Sequence, residues 1–164
     1  EVDEALRIRR EVQLPTFERI GDTREAAVTW GKIADVLQQR GDVDEAVELQ
    51  LKRLEANERL GNIDGIAAAN WDLAQIDLFH REDLHAAVPR LVTSFQHLLK
   101  LQRPDGIAIV GITLGEVMLA IGVHAHVRQV LQACQAAAAV IGDADIVSRA
   151  EELMETIGDE DEES

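Results

Sequence analysis

Apolar residues return every three or four positions along almost the whole chain, and the pattern breaks only at short polar turns. Between positions 23 and 40, Ala26, Trp30, Ile33, Ala34 and Leu37 fall on one helical face. Ala46, Leu49, Leu54 and Leu60 repeat the scheme in the next stretch. Small residues mix with large ones on these faces, so helices can approach closely and interlock. Gly21, Gly41, Gly61, Gly122 and Gly142 mark breaks roughly 20 residues apart, and the spacing also reaches Glu82 and Gln102, where the glycine is missing. Glycine just past a helix end takes the left-handed conformation that a side chain resists. Asp22, Asp42, Asn62, Asp83 and Asp143 follow these positions. Each can accept hydrogen bonds from the free N–H groups of the next helix and favours its positive dipole end. Asp22-Thr23-Arg24-Glu25 and Asp42-Val43-Asp44-Glu45 both have the spacing of a capping box.

The pattern predicts eight helices, over 3–19, 23–40, 43–59, 63–80, 84–101, 104–121, 125–141 and 144–157. Period-two runs of β-branched residues are almost absent, so the fold class is all-α. Turns of two to three residues make consecutive helices antiparallel. Two helices then form a unit of about 40 residues, within the range of helical solenoid repeats. Pro104 stands at a first helical position, where its missing N–H costs nothing. Pro15 and Pro89 fall inside helices and are expected to kink or break them, the first helix into two pieces. Glu48 and Lys52 lie one turn apart on an outer face. The helix over 104–121 is apolar nearly all round. Either neighbours on two sides bury it, or it offers a groove floor or a self-association surface.

From Ala27 the order Trp30, Ile33-Ala34, Leu37, Gly41-Asp42, Glu45-Ala46 resembles the tetratricopeptide repeat. A later copy has Trp71, Leu73-Ala74, Leu78 and Ala87, with Glu82 in the glycine's place. Another has Leu114-Gly115, Met118 and Gly122 without a tryptophan, and Asp64-Gly65-Ile66-Ala67 returns as Asp105-Gly106-Ile107-Ala108. The period of about 40 exceeds the usual length of about 34, the terminal proline is absent and there is no Tyr. The longer period implies a variant common in large bacterial multi-domain proteins. The resemblance implies a right-handed superhelical solenoid of antiparallel helix pairs. Its parts would be a half repeat over 1–21, units over 22–61, 62–102 and 103–142, a capping helix over 143–157, and an acidic disordered tail over 158–164. An uncovered half repeat has an uncapped apolar face, and the chain opens on Glu1 without an initiator Met. A fragment from the C-terminal end of a longer array is therefore expected, with the acidic end as its polar cap.

The net charge of −15 narrows the partners, since phosphate backbones need a basic surface. The stretch from Asp143 onward holds ten acidic residues against Arg149 alone. Its last run, Asp159-Glu160-Asp161-Glu162-Glu163, reads as a solvated tail, or as a docking tail for a basic partner. No run of 18 apolar residues exists, so no membrane span is expected. Cys134 is the lone cysteine and sits in an apolar pattern, which suits a small core residue and a cytoplasmic setting.

Candidate chemistry is sparse. There is no glycine-rich phosphate loop and no His-Glu-x-x-His pair. His124 and His126 are two apart and would point to different sides of a helix; His80 and His85 flank a turn. Paired carboxylates such as Asp42 and Asp44 sit at helix starts, where capping explains them. No enzyme, metal or cofactor is expected. Trp30 and Trp71 are either both repeat-core residues, or Trp71 reaches a groove and anchors a ligand. In tetratricopeptide arrays the first helix of each unit lines a concave groove. The resemblance thus implies groove-facing Asp35, Gln38, Trp71, Asp72, Gln75, Phe79 and Glu116. Chaperone-binding members clamp a terminal carboxylate there with Lys, Arg and Asn. This chain has Asp35 and Glu116 instead, and no Lys or Arg between Pro104 and Ile121. The expected function is a scaffold that binds a neutral or basic protein or peptide segment; the alternative is a homo-oligomerising structural module.

Overall fold

A computed structural model describes residues 2–157, and among these every regular element is helical. The expected tail at 158–164 lies outside the described residues. The order is α1 (Val2–Ile8), a π-helical turn (Arg9–Gln13), α2 (Leu14–Ile20), α3 (Thr23–Arg40), α4 (Val43–Leu60) and α5 (Ile63–Phe79). It continues with α6 (Leu84–Leu101), α7 (Pro104–Ala120), α8 (Val127–Ile141) and α9 (Ala144–Thr156). The π turn joins α1 to α2 without leaving helical dihedrals, so the described residues form eight rods, as the hydrophobic pattern predicts. The chain divides into two compact units, Glu1–Glu82 and Asp83–Ser164.

Helix ends follow the turn chemistry closely. All five marker glycines have positive φ, and so do the two residues that stand at the gaps, Glu82 and Gln102, each at φ 53°. The backbone thus makes the same reversal at Gln102 that glycine makes elsewhere. Gln102 N–H donates to Leu99 C=O (3.1 Å) and Arg103 N–H to Leu98 C=O (3.2 Å). Gly41 and Asp42 make the matching bonds to Gln38 and Leu37 (3.1 and 2.9 Å). This paired closure satisfies carbonyls that a helix end leaves free. At the helix starts, Asp22, Asn62, Asp83 and Asp143 accept from Glu25, Gly65, Ala86 and Ile146 N–H respectively. Asp42 is a correction: its side chain caps nothing, so the second capping box is one in spacing only.

The prolines also depart from expectation. Pro15 follows the π turn, and the wider ring of that turn relieves the clash with the preceding carbonyl that an α-helix would force. The first rod therefore bends its hydrogen-bond ladder instead of breaking. Pro89 sits inside α6, which runs on uninterrupted; it removes a single ladder bond near the exposed helix start. Helix α8 begins two residues later than the pattern suggests, because His126 adopts φ 64° at its N-terminal boundary.

In the first unit the core is built from Leu6, Ile33, Ala34, Leu37, Ala46, Leu49 and Ile76, with Leu14 and Trp30 packed against it. Residues of α1, α3, α4 and α5 thus share one cluster. The first rod contributes little else, leaving Val12 at 55% and Ile20 at 63% exposure. In the second unit α7 lies against α6, α8 and α9, which buries Ile107, Ala108, Val110, Leu114, Val117 and Met118. That resolves the all-round apolar pattern in favour of burial, with Ile109 still exposed. Glycine makes the approach possible: a Cβ on Gly111 would stand 2.9 Å from Cys134 Cβ and Phe95 Cε2.

Two outcomes follow. Gln102→Gly removes the steric cost of a left-handed side chain, and raises stability by about 1 kcal/mol, read as a shift in the denaturant midpoint. Gly111→Ala gains about 1 kcal/mol of helix propensity but overpacks the α6/α7/α8 junction by about 1–3 kcal/mol. A net loss is expected by the same assay, and a net gain would show that the junction can relax.

Candidate functional site

The first unit brings together most of the side chains expected to face a groove. Helices α3 and α5 carry the same burial pattern at an offset of 40 residues: Ala27, Thr29, Ile33, Ala34 and Leu37 match Ala67, Ala69, Leu73, Ala74 and Asp77. Their capping residues, Asp22 and Asn62, keep the same offset. The register is therefore fixed, and it separates the two tryptophans. The place of Trp30 is taken by Asn70, whose Nδ2 donates to Ile66 C=O (2.9 Å). Trp71 stands where α3 has Gly31, and is partly buried. Asp35 and Gln75 are equivalent, and Glu116 is the corresponding residue of α7, each directly following a buried pair.

Arg53 of α4 is the pivot of this region. Its Nη1 donates to Asp72 Oδ2 on α5 (2.5 Å) and to Gln50 Oε1 (3.1 Å), while Gln50 Nε2 donates to the same Asp72 oxygen (3.3 Å). The guanidinium lies against the backbone of α3, since a Cβ on Gly31 would stand 3.1 Å from Arg53 Cδ, Nε and Cζ. One cation thus touches three helices, and Gln50 beneath it is fully buried. Asp72 pays for this position electrostatically. Its pKa is raised, because removal from water outweighs the attraction and hydrogen bond of Arg53 and the bond from Gln50.

Asp35, one turn along from Gly31, is different. It accepts no hydrogen bond and makes no ion pair among the described residues. Its pKa is raised by burial of the carboxyl first and by the charge of Asp72 second, against the smaller pull of Arg53 and Arg9. The residue as a whole is exposed, so its carboxyl stays open to water and to a partner. Beside it opens a cleft of about 500 Å3 lined by Asp35, Gln38 and Gln39 of α3 and His80 at the end of α5. Phe79, next to His80, is 71% exposed. Gln75, one turn before Phe79, keeps its Nε2 enclosed without a protein acceptor.

The structure therefore gathers Asp35 and Gln38 at the cleft and places Asp72 in the Arg53 network. Trp71, Gln75 and Phe79 lie on the same helix as Asp72. Glu116 belongs to the second unit, where it accepts from Arg149 Nε (2.8 Å) and is neutralised. Gln39 and His80 were not among the expected groove residues. The helical position of Gln39, one turn after Asp35, signals it; His80 drew attention only as a turn residue. Arg53 gives no signal in the sequence, since its role depends on two other helices.

The second unit holds no comparable site among the described residues. Cys134 is fully buried and donates through Sγ to Ala108 C=O (3.2 Å). Burial, helped by Asp143 and Glu116, pushes its thiol up to about 11, so it is a packing residue and not a nucleophile. No group of three His, Cys, Asp or Glu stands together as a metal would require among the described residues. No described helix is long and apolar enough to cross a membrane. No protein-family model matches the chain, and no curated protein matches it in sequence.

The raised pKa of Asp35 fixes the sign of a pH effect. Folding favours the protonated form, so the contribution of Asp35 to stability is full below the unfolded value and is lost as pH rises through the folded one. Asp35→Asn should therefore stabilise the protein at pH 7. The advantage should shrink as pH falls into and below the ordinary aspartate range, near 3.8. Parallel urea titrations of the two proteins across that range test this, and an advantage independent of pH would contradict it.

Proposed function

We propose that this chain is a helical-repeat scaffold of tetratricopeptide type that receives a segment of another protein along α3 and α5. The observation that carries the reading is the open cleft walled by Asp35, Gln38, Gln39 and His80, with Phe79 exposed beside it. A cleft of about 500 Å3 falls within the ~300–1,000 Å3 typical of ligand sites. Three of its lining residues come from α3, and His80 directly follows the last turn of α5. Helix pairing supports the solenoid reading within each unit: α3 packs on α4 and α4 on α5, while α7 packs on both α8 and α9. In a solenoid each helix meets its neighbour and the next but one.

The partner is a neutral or basic segment. The chain carries −15, and the cleft wall offers a free carboxylate with carboxamides. Catalysis, a cofactor and nucleic acid have no part in this reading, and its setting is the cytoplasm. The competing reading is homo-oligomerisation through the first rod, favoured by the exposed Val12 and Ile20.

The test is titration of 15N-labelled protein with an array of extended neutral and basic peptides. Amide shifts should gather at Asp35, Gln38, Gln39, Phe79 and His80. Phe79→Ala, at a position exposed enough to leave folding intact, should weaken binding by about tenfold, as loss of an aromatic contact does. Light scattering should give a monomer at micromolar concentration. A dimer that dissociates on mutation of Val12 and Ile20 to serine would favour self-association instead.

A further inference from the structure

Resting on the docking reading above, we propose that the cleft is a receptor for one cationic side chain of the partner. An arginine or lysine would stand against Asp35, with Gln38 and Gln39 holding the adjoining peptide backbone. The argument starts from which charges are already committed. Asp72 is engaged by Arg53 at 2.5 Å and by Gln50, and Arg53 is wedged between those two residues and Gly31. Asp35 stands beside this network and shares none of its bonds. Arg9 and Arg53 act on it only at a distance and neither bonds to it, so its carboxylate stands at the cleft for an incoming cation.

The other walls of the cleft suit a peptide carrying that charge. Gln38 and Gln39 each offer a donor and an acceptor, the pair of functions that an extended backbone presents. His80, which follows α5, completes the lining. A terminal carboxylate would meet the Asp35 carboxylate and be repelled. Charge complementarity thus selects the occupant, and a partner segment with a basic residue meets it where an acidic one does not.

The probe is an alanine-rich heptapeptide with a central arginine, compared with the same peptide carrying citrulline, which keeps the shape and removes the charge. A lysine version separates a guanidinium preference from a simple cation preference. Both are titrated into 15N-labelled full chain at about 0.15 M salt, where the screening length is about 8 Å and the overall acidity of the protein is damped. The arginine peptide should bind about 2- to 5-fold more tightly, the range for an exposed ion pair, with shifts at Gln38, Gln39 and His80. Asp35→Asn should level the two peptides. Glu48→Gln, which removes an exposed carboxylate of α4, should leave the preference intact.

Equal binding of the two peptides at the cleft would overturn the cationic receptor while leaving the docking reading in place. Loss of the preference in Glu48→Gln as well would also overturn it, since bulk charge would then explain the effect. Absence of cleft shifts with any peptide would overturn both readings.

Discussion

Five of the seven junctions between the described rods reverse the chain within two residues, and each does so through a left-handed backbone. Six helix ends close with the same pair of hydrogen bonds, after Ile20, Arg40, Leu60, Leu101, Ala120 and Ile141. Glycine serves five of them and Gln102 the sixth. The closure satisfies carbonyls at one helix end, and the capping carboxylate or carboxamide then satisfies N–H groups at the next start. Because these local bonds set the turn length, they also set which faces meet. The apolar stripes of consecutive helices are brought together before any long-range contact is needed to specify the pairing. Small residues at the contacts, such as Ala34, Ala46, Ala74 and Ala108, then let the rods approach to interlocking distance.

Regular reversal also explains why equivalent positions can diverge. Asp35, Gln75 and Glu116 occupy one place in three successive odd helices, yet each meets a different fate. Glu116 is tied to Arg149. Gln75 has lost the charge and is partly enclosed. Asp35 alone stays charged and free of partners. Since the scaffold is held by turns and apolar packing, none of these side chains has to serve the fold, and each is open to other use. The same logic applies one turn away. Gly31 in α3 leaves room for the Arg53 guanidinium, while Trp71 fills the equivalent place in α5.

Most of the fold was legible because its determinants are local. Helix boundaries over 23–40 and 84–101 agree with the periodicity to the residue, and the spacing at Gln102 pointed to a left-handed turn even without glycine. Local pattern was less informative where a choice depends on geometry around it. The spacing at Asp42 suggests a cap, but the side chain makes no such bond. Pro15 signals trouble in a helix, and only the backbone shows it resolved by a π turn. Of the expected groove residues, Asp35 and Gln38 lie at the cleft and Asp72 lies in the Arg53 network. At the 40-residue offset Trp30 corresponds to Asn70 and Gly31 to Trp71, so the two aromatic residues do not share one place in their helices. The Arg53 network was invisible, since three helices contribute to it and no sequence spacing relates them.

The Arg53 network finally decides where binding energy can come from. A guanidinium shared among Asp72, Gln50 and the face of Gly31 cannot also serve a ligand without breaking a partly buried ion pair. Losing such a pair costs more than an exposed contact returns. Arg53 is therefore not available to an acidic ligand. Asp35 is in the opposite situation: its charge is already held at a disadvantage by burial and by Asp72, so a positive group arriving there relieves a cost that folding has left in place. Asp35 is nonetheless exposed, so pairing there gains what a surface carboxylate gains, and the charge supplies selectivity between partners more than affinity.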